Sequence, residues 1–162
     1  MNKIYFSKVK PNAIIPSKRI EDAGADVYAC FAEDYIVIQP HETKLIPTGI
    51  ASAFSNDYVA ILKERGSTGT KGIGQRCGVI DSGFRGEWFV PLTNHNNIPL
   101  YIVKNGWSMD VNSNCVVYPY EKAICQVVMV EVPKLQYEEM AYEDLLKIES
   151  ERGIGSLGSS KK

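Results

Sequence analysis

Three stretches of this chain carry residue types that could do chemistry on an anion. The first is Glu64-Arg65-Gly66-Ser67-Thr68-Gly69-Thr70-Lys71-Gly72. It combines two cations, three small hydroxyl residues and three glycines. Such a loop can offer backbone N–H donors and a guanidinium to a phosphate. Its order does not match a Walker A loop, and no helix pattern follows it. The second is Cys77-Gly78-Val79-Ile80-Asp81-Ser82-Gly83-Phe84-Arg85-Gly86-Glu87. Asp81 follows an apolar pair and precedes a turn, which puts a carboxylate at the end of a hairpin arm; Asp-Ser-Gly is equally a good turn sequence with no further role. The third is the tail, Arg152-Gly153-Ile154-Gly155-Ser156-Leu157-Gly158-Ser159-Ser160-Lys161-Lys162. Its composition fits either a polar disordered end or a flexible arm able to wrap an anion.

The elements that must position these stretches are strands. Residues 4–9, 25–30, 35–38, 44–46, 58–62, 88–92, 100–103, 115–118 and 124–132 are rich in Val, Ile, Tyr and Phe, and turn-forming residues punctuate them. Many short strands without long amphipathic segments between them predict an all-β sandwich or barrel. One short helix is expected over residues 142–150, with Leu145, Leu146 and Ile148 as its apolar side. The organisation expected is one domain over residues 1–150 and a glycine-rich arm over 151–162.

Composition narrows the function classes. The chain has 162 residues, 44% hydrophobic and 23% charged, as in ordinary globular proteins. Eighteen basic residues against nineteen acidic ones leave a net charge of −1, which argues against nucleic-acid binding through bulk charge. No apolar run approaches the ~20 residues of a membrane span. The N-terminus lacks the apolar stretch of a signal peptide, so a cytoplasmic location is expected. Cys30, Cys77, Cys115 and Cys125 form no metal-binding spacing, and with only His41 and His95 beside them they read as reduced, mostly buried thiols.

Taken in order, five blocks resemble the five motifs of the trimeric deoxyuridine triphosphate nucleotidohydrolases, the dUTPases. They are Ala23-Gly24-Ala25-Asp26-Val27; Arg65-Gly66-Ser67-Thr68-Gly69; Gly78-Val79-Ile80-Asp81-Ser82-Gly83-Phe84-Arg85-Gly86; Ala123-Ile124-Cys125-Gln126; and Arg152-Gly153-Ile154-Gly155-Ser156-Leu157-Gly158-Ser159. The resemblance implies a jelly-roll-like barrel, a homotrimer with shared active sites, and hydrolysis of dUTP to dUMP and pyrophosphate. It implies that Asp81 activates the water attacking the α-phosphate. Arg65, Gly66, Ser67 and Gln126 would hold the phosphates, and Arg152, Gly158 and Ser159 would close over them. Gly78, Val79 and Ile80 would read uracil, with Phe84 lying against the sugar where the family usually has tyrosine. Mg²⁺ would arrive on the triphosphate, with Asp26 touching its waters or serving the structure alone.

This chain departs from the family pattern at several positions. Gly66 stands where serine is common and Ala123 where arginine is usual, leaving Lys122 as a partial substitute. The connection from residue 94 to residue 123 is longer than usual and is expected to carry an extra hairpin, with arms at 100–103 and 115–118. A regulatory protein partner is compatible with that insertion. Leu157 replaces the phenylalanine that stacks on uracil, and the candidate replacements for that lid are Trp88 and Phe89. Strand alternation sends one of them to the core and the other toward the site. The related dCTP deaminases need a glutamate ten residues after the motif-three aspartate, where this chain has Pro91.

Overall fold

The structure is a computed structural model, and it describes residues 3–106 and 114–155. Its architecture is an all-β, jelly-roll-like barrel. The strands are β1 (Ile4–Lys8), β2 (Ala25–Val27), β3 (Tyr35–Ile38), β4 (Thr43–Pro47), β5 (Ile50–Phe54) and β6 (Tyr58–Lys63). A helical turn, α1 (Gly66–Gly69), comes next. It is followed by β7 (Ile73–Gln75), β8 (Val79–Ile80), β9 (Phe89–Asn94), β10 (Leu100–Val103), β11 (Val116–Pro119) and β12 (Cys125–Glu131). A second helical turn, α2 (Tyr142–Leu145), ends the described chain's elements.

The strands form four small sheets: β1-β5, β11-β10-β3, β2-β12-β6-β8 and β4-β9-β7. Alternation along them builds the core. In β12, Cys125 and Val127 turn inward while Gln126 does not; in β6, Ala60 and Leu62 are buried and Lys63 is exposed. Ile38, Ile46, Leu62, Trp88, Leu92, Leu100 and Tyr118 fill the interior, each essentially without solvent contact. Burial of each such aliphatic side chain contributes roughly 1.5–3 kcal/mol.

Several expectations are corrected here. The segments expected as hairpin arms do not form one: β10 and β11 run parallel, with Leu100 opposite Val116 and Val103 opposite Pro119. β10 takes its antiparallel partner from β3 instead. Parallel neighbours need the chain to return to its starting end between them, which a tight turn cannot do.

The expected helix over 142–150 shrinks to the single turn of α2. Leu145, Leu146 and Ile148 lie open to solvent, and a short helix that buries no face is marginal in water. β5, β7 and β8 were not expected as strands. β5 reads Ile-Ala-Ser-Ala-Phe, weak in strand formers, and it is strand because β1 pairs with it along its length. Cys30 and Cys125 are buried as expected, but Cys77 is exposed and Cys115 half-buried.

Candidate active site

Two clefts hold most of the expected site residues. The larger, of about 800 Å³, is lined by Asp26, Arg65, Gly66, Ser67 and Gln126, together with Ser17, Lys18, Arg19, Asp22, Ala23 and Gly24. Strand register builds its floor. Asp26 of β2 stands opposite Gln126 of β12, which stands opposite Lys63 of β6, so the three share the face turned away from the core. Gly24 has no side chain because Gln126 occupies that space: a Cβ there would overlap the Gln126 amide. Gln126 is held by donating from Nε2 to the Glu64 carbonyl at 2.9 Å.

Arg65 follows the end of β6 and opens α1. Thr68, fully buried, locks this corner: its hydroxyl donates to the Arg65 carbonyl at 2.9 Å and accepts from the Arg65 N–H at 3.1 Å. The Arg65 guanidinium grips both oxygens of Asp26, Nε to Oδ1 at 2.8 Å and Nη2 to Oδ2 at 3.2 Å, and donates from Nη1 to the Ser67 hydroxyl at 3.0 Å. Asp26 therefore has a structural partner, and the planar fork fixes the direction of the guanidinium. The N–H groups of Gly66 and Ser67 open the helical turn, where such donors have no intrahelical acceptor.

Gly66 is not demanded by packing, since a Cβ there would meet nothing within 4 Å; a serine would fit. Ala123 is buried, and its carbonyl accepts from the Tyr118 hydroxyl at 2.6 Å. Lys122 lines a neighbouring cleft of about 380 Å³ with Asp26, Arg65 and Ser67. No side-chain cluster that could cage a metal occurs among the described residues, so oxygens of a bound phosphate chain would have to supply most of a Mg²⁺ shell.

The second cleft, of about 320 Å³, is lined by Gly78, Val79, Ile80, Asp81, Phe84 and Phe89, with Leu62, Cys77, Glu87 and Pro91. It hangs on the turn between β7 and β8. Cys77 (φ 57°) and Gly78 (φ 128°) both occupy positive φ, a region costly for a side-chain-bearing residue. Gly78 must be glycine: a Cβ there would lie 2.8 Å from the Leu62 carbonyl oxygen. The turn is held from outside, because Gln75 donates to the carbonyls of Arg76 and Cys77 and the Leu62 N–H donates to the Gly78 carbonyl at 2.8 Å.

Asp81 follows β8 and opens a turn closed by the Phe84 N–H on the Asp81 carbonyl at 3.0 Å. Three tethers hold the segment beyond it. Arg85 donates to the Ser82 carbonyl at 2.6 Å and reaches the Ser52 carbonyl at 3.4 Å. Glu87 pairs with Lys10 at 2.9 Å and accepts the Gly49 N–H at 2.8 Å. The Trp88 N–H donates to the Ile50 carbonyl at 2.8 Å. The Phe84 ring lies over Gly86, where a Cβ would come within 2.6 Å of it.

Trp88 lies outside this cleft. It is fully buried and meets Phe6 edge-on at 5.4 Å between ring centroids. Phe89, on the opposite face of the strand, lines the cleft and is 44% exposed. Of the two lid candidates only Phe89 is available, as alternation requires. Arg152 lines neither cleft; it is exposed and donates from Nε to the Gly155 carbonyl at 2.8 Å. Leu157, Gly158 and Ser159 lie outside the described residues. Lys18, Arg19, Cys77 and Pro91 were not expected in the clefts; their signal would have been proximity in sequence to motif residues or strand parity.

No helix among the described residues is long and apolar enough to cross a membrane. A family model described as dUTPase matches residues 10–106. The deoxyuridine 5'-triphosphate nucleotidohydrolase of Neisseria meningitidis serogroup C is 35% identical over 150 residues, covering 90% of this chain and 88% of the relative. That of Leptospira interrogans serovar copenhageni is 32% identical over 108 residues, 64% of this chain and 73% of the relative.

Among solved structures, the dUTPase of Staphylococcus bacteriophage 80alpha with dUpNHpp superimposes with a TM-score of 0.74 at 23% identity, covering all of both chains. A mutant dUTPase of phage phi11 of S. aureus, described with a structural Mg(II) ion, gives 0.69 at 20% identity over 88% of this chain and 99% of that one. The native EIAV dUTPase gives 0.64 at 19% identity over 86% and 98%. At these identities the structural likeness speaks for the fold. The family match over most of the barrel and the 35% identical relative spanning nearly the whole chain together establish that this protein belongs to the dUTPase family.

Proposed function

We propose that the protein is a dUTP diphosphatase, hydrolysing dUTP to dUMP and pyrophosphate and so limiting uracil in DNA while supplying dUMP. One observation carries this reading beyond family membership: one cleft is lined by oriented phosphate donors, and a separate one by a carboxylate among apolar and aromatic groups. These are the two halves a deoxynucleoside triphosphate needs.

Asp81 is the general base. As an exposed carboxylate at the cleft rim it takes a proton from the water that attacks the α-phosphorus. Pyrophosphate leaves. Arg65, the backbone N–H of Gly66, Ser67 and Gln126 hold the phosphate oxygens and stabilise the charge that develops there. Arg152, Gly158 and Ser159 of the arm close over the phosphates. Asp26, paired with Arg65, would face the waters of a Mg²⁺ ion carried by the triphosphate, and such an ion would supply charge neutralisation there.

Main-chain groups of Gly78, Val79 and Ile80 read the base. The Phe84 ring lies against C2′ and leaves no room for a 2′-hydroxyl. Phe89 covers the base in place of the stacking ring that Leu157 does not supply. The two clefts share no lining residue, which supports a homotrimer in which one chain's phosphate cleft meets another's nucleoside pocket. Deamination is disfavoured because position 91 is proline and Glu87 is committed to Lys10 and Gly49.

The test is pyrophosphate release with Mg²⁺ from dUTP, dTTP, dCTP and UTP, for wild type and Asp81→Asn. Release from dUTP alone, lost in the variant, is the expected result. A folded protein that releases nothing from any of the four overturns the reading.

A further inference from the structure

The phosphate-side cleft has one wall that none of the motif residues explains. Residues 17–22, in the segment between β1 and β2, form it, and the Asp26 N–H pins its near end by donating to the Ser17 carbonyl at 3.0 Å. Lys18 is therefore one residue from the row that holds Asp26 and Gln126.

A charge inventory of the cleft singles out that lysine. Arg19 is matched by Asp22 through two contacts, Nε to Oδ2 at 2.9 Å and Nη2 to Oδ1 at 3.0 Å. Arg65 is matched in the same way by Asp26. Lys18 makes no carboxylate contact among the described residues; its ammonium donates to the carbonyls of Asp22, at 2.6 Å, and Arg19, at 3.4 Å. Of the cleft's cations it alone makes no ion pair with a carboxylate, because the nearby Asp22 oxygens are taken up by Arg19. An ammonium is a compact point charge on a flexible stem, suited to meet a mobile phosphate without a fixed geometry.

Resting on the reading of the cleft as a phosphate site, we propose that Lys18 binds the two distal phosphates of the substrate. It acts on that end because the α-phosphorus must stay within reach of Asp81, which belongs to the other cleft. The Arg19–Asp22 pair keeps the wall in shape, and the carbonyls of Arg19 and Asp22 hold the ammonium until the substrate arrives.

Calorimetric affinities for a non-hydrolysable dUTP analogue and for dUMP test this on wild type, Lys18→Ala and Lys18→Arg. Lys18 is exposed, so neither substitution disturbs the core. Lys18→Ala should weaken the triphosphate analogue about fivefold, with the difference shrinking as salt is raised, and leave dUMP unchanged. Lys18→Arg should restore the analogue. In turnover the same alanine variant should raise KM with kcat nearly intact, the signature of a contact made equally in ground and transition states. A Lys18→Ala protein that binds both nucleotides like wild type, or loses both equally, overturns the inference while leaving the enzyme reading intact. Wild type that binds neither nucleotide overturns the enzyme reading and this inference with it.

Discussion

The two clefts are built by different physics. The phosphate cleft rests on a regular sheet, and its polar side chains are already satisfied: Arg65 by Asp26 and Ser67, Gln126 by Glu64, Arg19 by Asp22. Bidentate pairs hold its cations in direction before any ligand arrives. The second cleft, the proposed nucleoside pocket, rests on irregular backbone at positive φ, held from outside by Gln75, Arg85, Glu87 and Trp88. It offers shape and apolar surface, with Val79, Phe84 and Phe89 all substantially exposed. On the proposed reading, charge recognition is prepared by compensation and base recognition by a braced loop. The two clefts share no lining residue on the chain, as the proposed homotrimer would require.

Substitutions can separate the halves. Asp81→Asn should lower kcat by about 10²–10⁴ while leaving the affinity for a dUTP analogue near wild type, because it removes proton transfer and no binding surface. An unchanged kcat would move the base elsewhere. Next in size, Arg65→Ala should lower kcat/KM on the order of a hundredfold. Arg65→Lys should fail to restore it, since an ammonium cannot grip Asp26 and Ser67 as the fork does. Full recovery with lysine would reduce the cleft to a simple charge requirement.

On the nucleoside side the effects are smaller and more selective. Phe84→Ala should cut the preference for dUTP over UTP by roughly tenfold, read as the ratio of their kcat/KM values. Phe89→Ala should raise KM for dUTP about threefold with no loss of melting temperature, because an exposed ring contributes little to the core. Trp88→Ala, one position away, should instead destabilise the fold by about 3–5 kcal/mol. If both variants melted and bound alike, the assignment of core and site faces on β9 would be wrong.

The smallest effect concerns Cys125, behind the phosphate cleft. Burial, together with the nearby Asp26 charge, pushes its thiol up to about 12. The folded value lies above the ordinary 9.0, so the neutral thiol's stabilising share is complete below 9.0 and is lost as pH rises toward 12. Cys125→Ala should therefore lose less melting temperature than wild type over that window. Native thiol labelling should reach exposed Cys77 and spare Cys125.

Local sequence carried the parts of the site that local chemistry builds. Arg65-Gly66-Ser67 reads as a phosphate loop because donors and a guanidinium are adjacent, and Asp81 stands out because a carboxylate follows an apolar pair at a turn. Strand alternation also separated Trp88 from Phe89 without saying which one turned inward. Other features needed partners distant in sequence. Asp26 reads either as a contact to metal-bound waters or as a structural residue, and only the fold shows Arg65 beside it, paired with both of its oxygens. Gly24 has no evident purpose until Gln126 fills its place.

β5 is strand only because β1 pairs with it, and β10 takes β11 parallel on one edge and β3 antiparallel on the other, a pairing that no local pattern specifies. The amino-acid order alone determined the chemistry available and the all-β class, since residue types and period-two patterns are local properties. Tertiary structure decided which charges compensate each other, which ring faces the substrate side and where Lys18 stands, because pairing and register depend on residues that meet only after folding.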